Sequence, residues 1–360
     1  MSGTRPSELS ISSPAVLEAL LNGRSDVDGP PWLLPLWASL DERLRCSARR
    51  PRLRYVVRAA KSGDSLSGDA PEVLLLRGDG NRVEVSLDPV FFNRVPPHLG
   101  FVLDRAFSTT LAVECSLSYR EPTEFEHAIC LSDVGREGLL SFTGRDTPAR
   151  LLPDPGYVQS LAYEHFKTVI DRDWIPWERR AREAVWRGQL NGLPTSAVDG
   201  IISTPRAFLC AQARRLDHAS FVDAKLTEVA PFIDDRYGNE LHSIRHLFGE
   251  PIPPEQYMRS KYLIDIDGWA NAWSGLFRKL LTGSTVIKVA SQKGFRQWYY
   301  DRLEPWVNYV PVRADLTDLD EAIAFVLEND DRAREIGEAG RRLALSLGLE
   351  AEIYGIASVL

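Results

Sequence analysis

Residues 261–289 read KYLIDIDGWANAWSGLFRKLLTGSTVIKV. Two apolar, strand-like runs, YLIDI and TVIKV, stand at either end. Between them a loop of small and polar residues leads into a helix. Trp273, Leu276, Phe277, Leu280 and Leu281 recur at i, i+3, i+4, i+7 and i+8, which is one apolar helical face. Ser274 and Asn271 are candidate N-caps. Gly268 and Ala270 let backbone come close to a ligand. A helix N-terminus adds unpaired N–H groups and the positive end of a dipole, so the stretch suits an anion such as a diphosphate. It carries neither GxGxxG nor GxxxxGK[ST], so neither the dinucleotide nor the P-loop fingerprint is present. An ordinary capped strand-to-helix turn has the same pattern, and on this stretch alone both readings stand.

The same rhythm extends in both directions. AVWRG (184–188), SFVDAKLT (220–227) and WVNYVPV (306–312) read as strands. Helices are expected over 205–216, within 238–250, and over 294–303, 317–328 and 331–347. Alternating strands and helices with short connections imply a parallel sheet covered on both faces, with ligands beyond the carboxyl ends of its strands. The first half is less regular. RLRYVV (52–57), VLLLR (73–77) and RVEVSL (82–87) are expected strands, the last two a hairpin around Gly78-Asp79-Gly80. STTLAVECSLSY (108–119) also reads as a strand, and HAICLSD (127–133) is a short apolar one closed by Asp133. A helix is expected from Val158 to Ile170, and residues 13–47 look helical around a DVDGPPW break. The expected division is 1–172, 173–340 and a C-terminal helix, 341–360, returning to the first domain.

Composition narrows the class. The 360 residues are 44% apolar and 26% charged, with a net charge of −7. That suits a folded protein with a large core and argues against a nucleic-acid binder, which needs a basic surface. Cys46, Cys115, Cys130 and Cys210 form no CxxC pair, so a reducing compartment is expected. Met1–Gly23 lacks the basic start and apolar core of a secretory signal, and no run reaches the length of a membrane span. A cytoplasmic protein is expected, with contact at the inner face of a membrane left open.

Three segments together resemble glycosyltransferase family 90, which includes capsule-associated and lipopolysaccharide-modifying transferases and the animal protein O-glucosyltransferases. They are K-Y-L…D-G-x-x…S-G-x-F from Lys261, L-x-P-W-x-x-Y-x-P-V-x-x-D-L from Leu303, and N-D-D-x-A-x-x-I from Asn329. The resemblance covers about residues 128–345. It implies an α/β, GT-B fold of two Rossmann-like domains facing across a cleft. It also implies an inverting, metal-independent sugar transfer from a nucleotide sugar, in the first place a UDP-sugar, with no further cofactor. The acceptor would be a glycan or glycolipid of a cell-envelope polysaccharide, capsule or lipopolysaccharide.

Carried onto this chain, the resemblance puts Asp133 in the position of the catalytic base, which takes the acceptor hydroxyl's proton. Arg187 would meet the diphosphate, Gly188 would let backbone approach, and Gly268, Asn271, Ser274 and Gly275 would complete the donor site. Leu276 stands where relatives carry Arg, and Arg278, one turn beyond Ser274, is the stand-in. That departure also motivates a competing class, a nucleotide-sugar-binding or scaffold protein that keeps the fold without turnover.

Other patterns are weaker. DxD recurs at Asp26/Asp28, Asp171/Asp173, Asp265/Asp267 and Asp318/Asp320, too often in an acidic chain to mark a metal site. His242 and His246 share a helical spacing that can hold zinc, but no third ligand is near. FRQWYY (295–300) reads as core packing, with stacking on a base as the alternative.

Overall fold

The computed structural model describes residues 39–40, 42–43, 52–57, 73–79, 82–87, 96–118, 124–145, 151–192, 194–196 and 198–360. Most of the 13–47 helical reading, Asp26, Asp28 and Cys46 lie outside them. The chain divides into two compact units. One comprises 1–142, 149–161 and 349–360; the other comprises 143–148 and 162–348.

The first unit holds a mixed sheet in the order β1-β3-β2-β4-β5. Its strands are β1 (Arg52–Val57), β2 (Val73–Asp79), β3 (Arg82–Leu87), β4 (Phe125–Cys130) and β5 (Leu140–Ser141). β2 and β3 form the expected antiparallel pair, β2 also runs antiparallel to β4, and β1/β3 and β4/β5 are parallel. Of the stretch 108–119, read above as a strand, residues 108–117 instead belong to a 22-residue helix, α1 (Pro96–Leu117). Its residues from Arg105 to Ser116 are buried without interruption, so no amphipathic period shows. Two of its hydroxyls bond back to the preceding turn: Ser108 Oγ donates to Asp104 O and Thr110 Oγ1 to Ala106 O, each at 2.5 Å. α2 (Pro155–Gln159), with Asp154 as its N-cap, and the last helix (Leu349–Val359) pack on α1.

The second unit is built around the parallel sheet β12-β10-β9-β7-β8. It opens with β6 (Thr143–Gly144) and α3 (Glu164–Arg172). Then follow β7 (Ala181–Leu190), α4 (Pro205–Ala213), β8 (Val222–Val229), α5 (Pro231–Tyr237), α6 (Leu241–Ile244) and β9 (Ser260–Asp265). The series ends with α7 (Ser274–Leu281), β10 (Thr285–Val289), β11 (Arg296–Gln297), β12 (Val310–Val312), α8 (Leu319–Glu328) and α9 (Asp330–Ser346). Every residue of β9 and β10 is buried, as a sheet covered on both faces requires.

Two expected helices differ. The 158–170 helix is broken by Leu161, Ala162 and Tyr163, whose φ values of 50°, 59° and 59° are left-handed. The units divide there rather than at 172/173, because α3 packs on α7: Tyr163 meets Phe277 with ring centroids 5.1 Å apart. Residues 294–303 form no α-helix but the two-residue β11, paired antiparallel with β6, and a short 3-10 turn. The aromatic run there is core, Trp298 and Tyr299 lying against Phe277 at 6.4 and 5.4 Å.

Motifs far apart in the chain meet in this unit. Lys261 Nζ lies 2.8 Å from both Asp330 oxygens, Trp177 Nε1 donates to the same carboxylate, and Tyr262 donates its hydroxyl to Val326 O at 2.7 Å. The K-Y-L strand and the N-D-D helix start are thus tied together for architectural reasons.

Candidate donor-binding site

In the second unit's sheet, sequence order runs β8, β7, β9, β10, β12 across the strands, so direction reverses between β7 and β9. A parallel sheet opens a crevice at such a switch point, beyond the strand carboxyl ends. Two loops meet there backbone to backbone. Gly192, after β7, has φ +101°, and a Cβ on it would approach Gly268 O, after β9, to 3.0 Å. On Gly268 a Cβ would come within 2.8 Å of Arg206 Cζ. Gly268 is therefore glycine because the Arg206 guanidinium lies on it.

Arg206 was not among the residues singled out from the sequence. It sits in the first turn of α4, and its Cζ lies 5.9 Å from the Trp186 ring centroid. Nη1 donates to Gln189 O at 2.9 Å, while Nε is buried and has no protein partner. Burial lowers its pKa, with Asp265 and Asp267 working in the other direction. The readable signal was position: an Arg directly after Thr204-Pro205, where a helix starts beyond the carboxyl edge of a parallel strand.

Arg187 and Gly188 are occupied otherwise than expected. Arg187 is buried and spends its donors on Glu250 O at 2.9 Å, Trp186 O at 2.9 Å, Asp223 O at 2.7 Å and the Asp223 carboxylate. It fastens β7 to β8. Gly188 makes room for the Trp186 ring, which a Cβ there would approach to 2.6 Å. These two residues support the strand on which Arg206 rests.

The loop after β9 keeps the remaining candidates together. Ser274 and Asn271 do not cap α7: Ser274 is its first residue, Trp273 holds the cap position with φ 48°, and no side chain completes the cap. The helix start has no side-chain cap, and among its first-turn groups Gly275 N–H donates to Ala272 O at 2.8 Å. Gly275 is not demanded by packing, since a Cβ would meet Ala272 Cβ only at 3.6 Å. Leu276 is wholly buried. Arg278, the expected stand-in, stacks over Tyr163 at 5.4 Å and Phe166 at 5.9 Å. On the same buried face as Leu276, Lys279 Nζ reaches Asp265 Oδ1 at 2.8 Å, and Lys288 Nζ reaches Oδ2 at 3.4 Å. Burial alone would raise the Asp265 pKa, but the two ammonium groups hold it low.

The DxD carboxylates at 171/173 and 318/320 are similarly engaged. Asp171 pairs with Arg341, Asp173 with Arg172, Asp318 with Arg313 and Asp320 with His218. No group of three or more His, Cys, Asp or Glu among the described residues is placed to hold a metal ion, and His242 and His246 are exposed. No helix among them is long and apolar enough to cross a membrane.

Asp133 belongs to the first unit, three residues beyond β4. The buried Arg105 of α1 donates Nη2 to its Oδ1 and Nη1 to Leu131 O, each at 2.5 Å. Its side chain is 36% exposed. The carboxylate is thus fixed in direction by an arginine from below and open on the other side.

The family model described as Glycosyl transferase family 90 matches residues 163–350, more than half of the chain. The chain belongs to glycosyl transferase family 90. The matched region contains the switch point, Arg206, the loop after β9 and α7, while Asp133 lies outside it. Among family 90 relatives, uncharacterized protein 027R of frog virus 3 is 31% identical over 204 residues, covering 52% of this chain and 20% of that protein. Human protein O-glucosyltransferase 1 is 29% identical over 170 residues, covering 46% of this chain and 37% of that protein. The chain thus matches well under half the length of either. Among solved structures, Anabaena Alr3699/HepE in complex with UDP-glucose aligns with a TM-score of 0.37 at 15% identity, over 54% of this chain and 53% of that one.

Proposed function

We propose that this chain is an inverting, metal-independent glycosyltransferase that moves a sugar from a UDP-sugar to a glycan or glycolipid acceptor. The observation that carries this reading is the switch point. There Arg206, braced by Trp186 and Gly268, keeps an unpartnered guanidinium donor beside two touching loops, one of which runs into the uncapped start of α7. Arg206 and the first-turn N–H groups of α7 other than that of Gly275 would bind the diphosphate and meet the charge that grows on it as the glycosidic bond breaks, so that no metal ion is called for. Gly275 leaves room for the ligand at the helix start, and Ser274 offers a hydroxyl there. Asp133 would take the proton of the acceptor hydroxyl as that oxygen attacks the anomeric carbon, a single displacement that inverts the centre. The O-glucosyltransferase relatives support sugar transfer as the reaction class. A cell-envelope polysaccharide, capsule or lipopolysaccharide as acceptor, and a cytoplasmic site of action, rest on the resemblance of the motifs alone.

The test is transfer or hydrolysis of UDP-sugars in the presence of EDTA, together with calorimetric UDP binding. Asp133→Asn is expected to abolish transfer and leave UDP affinity unchanged. A scaffold role is the second reading, favoured by Leu276, wholly buried in place of the arginine that the resemblance leads one to expect. UDP binding without turnover across a donor and acceptor panel would establish that role instead. No binding of any uridine nucleotide would sink both.

A further inference from the structure

Asp267 and Asn271 stand out by what they lack. Asp267 is 2% exposed and Asn271 3%, yet neither carboxylate oxygen of the first and neither amide atom of the second has a hydrogen-bond partner in the protein. Ser291 bears on Asp267 without completing a bond of normal geometry. A buried polar group left unpaired is costly, and such groups are rare in native proteins unless something else pairs them. Both lie in the loop between β9 and α7, one on each side of Gly268-Trp269-Ala270, at the switch point already described.

The surroundings limit what can pair them. A divalent cation is disfavoured, because Lys288 and Arg206 already place positive charge around Asp267 and Asp265 is consumed by two lysines. A phosphate is disfavoured too, since a carboxylate offers no donor when ionised and repels the anion. A neutral group with hydroxyls remains. It donates to the Asp267 oxygens and the Asn271 carbonyl, and accepts from the Asn271 amide.

We propose that Asp267 and Asn271 recognise hydroxyl groups on a sugar ring of the donor, while Arg206 and the start of α7 hold its phosphates. This rests on the donor reading above and assigns these two residues to specificity. Burial pushes the Asp267 pKa up, which is tolerable beside a neutral hydroxyl.

The test is calorimetry on the full chain with UDP, UDP-glucose and 2′-deoxy-UDP, for the unmodified protein, Asp267→Asn and Asn271→Asp, with thermal unfolding alongside. Both substitutions keep side-chain shape and alter only what can be donated or accepted. Recognition of the transferred sugar predicts that UDP binds each variant normally while the preference for UDP-glucose over UDP falls roughly threefold to tenfold. Recognition of the ribose predicts that UDP and UDP-glucose weaken together by a similar factor while 2′-deoxy-UDP binds variant and unmodified protein alike. Either result supports the proposal and names the ring. Variants that bind all three ligands as the unmodified chain does overturn it, as do variants that lose thermal stability and weaken all three equally. Absence of uridine nucleotide binding by the unmodified chain would overturn the donor reading as well, a result distinct from normal binding with unchanged discrimination.

Discussion

Asp265 and Asp267 are two residues apart, both almost wholly buried, and in opposite situations. Asp265, the last residue of β9, is gripped by Lys279 from α7 and Lys288 from β10. Asp267, in the loop that follows, holds no partner. A buried carboxylate satisfied by two cations from neighbouring elements welds strand, helix and strand together. One left unsatisfied two residues beyond the welded edge is poised for something from outside. The alternating D-x-D of the sequence is therefore an inner structural residue and an outer ligand-facing one.

Breaking the weld should have the largest effect. Asp265→Asn strands two buried ammonium groups and is expected to cost about 3–5 kcal/mol of stability, read by denaturant unfolding. A loss below about 1 kcal/mol would show that the lysines find other partners. Next in size is the donor cation. Arg206→Met removes charge-assisted hydrogen bonds worth about 1.5–3 kcal/mol, so UDP should bind roughly tenfold to a hundredfold more weakly. Unchanged UDP affinity in calorimetry would remove Arg206 from the site.

The two carboxyls should also titrate against each other. The folded pKa of Asp265 is depressed, so its stabilisation is present above the unfolded value of about 3.9 and lost as pH falls through the folded value. The folded pKa of Asp267 is raised by burial, so its contribution is full below about 3.9 and lost as pH rises through the folded value. Urea midpoints against pH should therefore lose their acid limb in Asp265→Asn and flatten on the other side in Asp267→Asn. Identical profiles in both variants would erase the contrast.

The smallest effect is expected at Arg278. It rests on the Tyr163 and Phe166 rings, a contact of about 0.5–1 kcal/mol, so Arg278→Met should unfold only slightly earlier and bind UDP unchanged. A tenfold loss of UDP affinity would instead restore Arg278 as the stand-in for the arginine missing at Leu276.

The second unit was legible because its signals are local. Alternation of apolar strands with periodic helices, and the turn into α7, depend on residues a few positions apart, and they placed β7, β8, β9, β10, α8 and α9 close to where they lie. The first unit was less so. Residues 105–116 of α1 are buried without interruption, so burial erased the period that identifies a helix, and the threonines and valine there argued for a strand. Residues 294–303 are held by pairing with β6 about 150 residues earlier, which no local pattern encodes.

For the site, the sequence alone determined that a loop of small and polar residues between two buried strands would lead into a helix start, and that Gly268, Asn271, Ser274 and Gly275 would share it. It could not assign work among charged residues, because the partner of each comes from a different element. Arg187 and Arg206 look alike as single letters. Only the tertiary structure shows every guanidinium nitrogen of Arg187 engaged by Asp223 and neighbouring carbonyls, and Arg206 lying on Gly268 with Nε unspent. A side chain's chemistry is written in the chain, but whether that chemistry is already satisfied depends on residues that folding brings beside it.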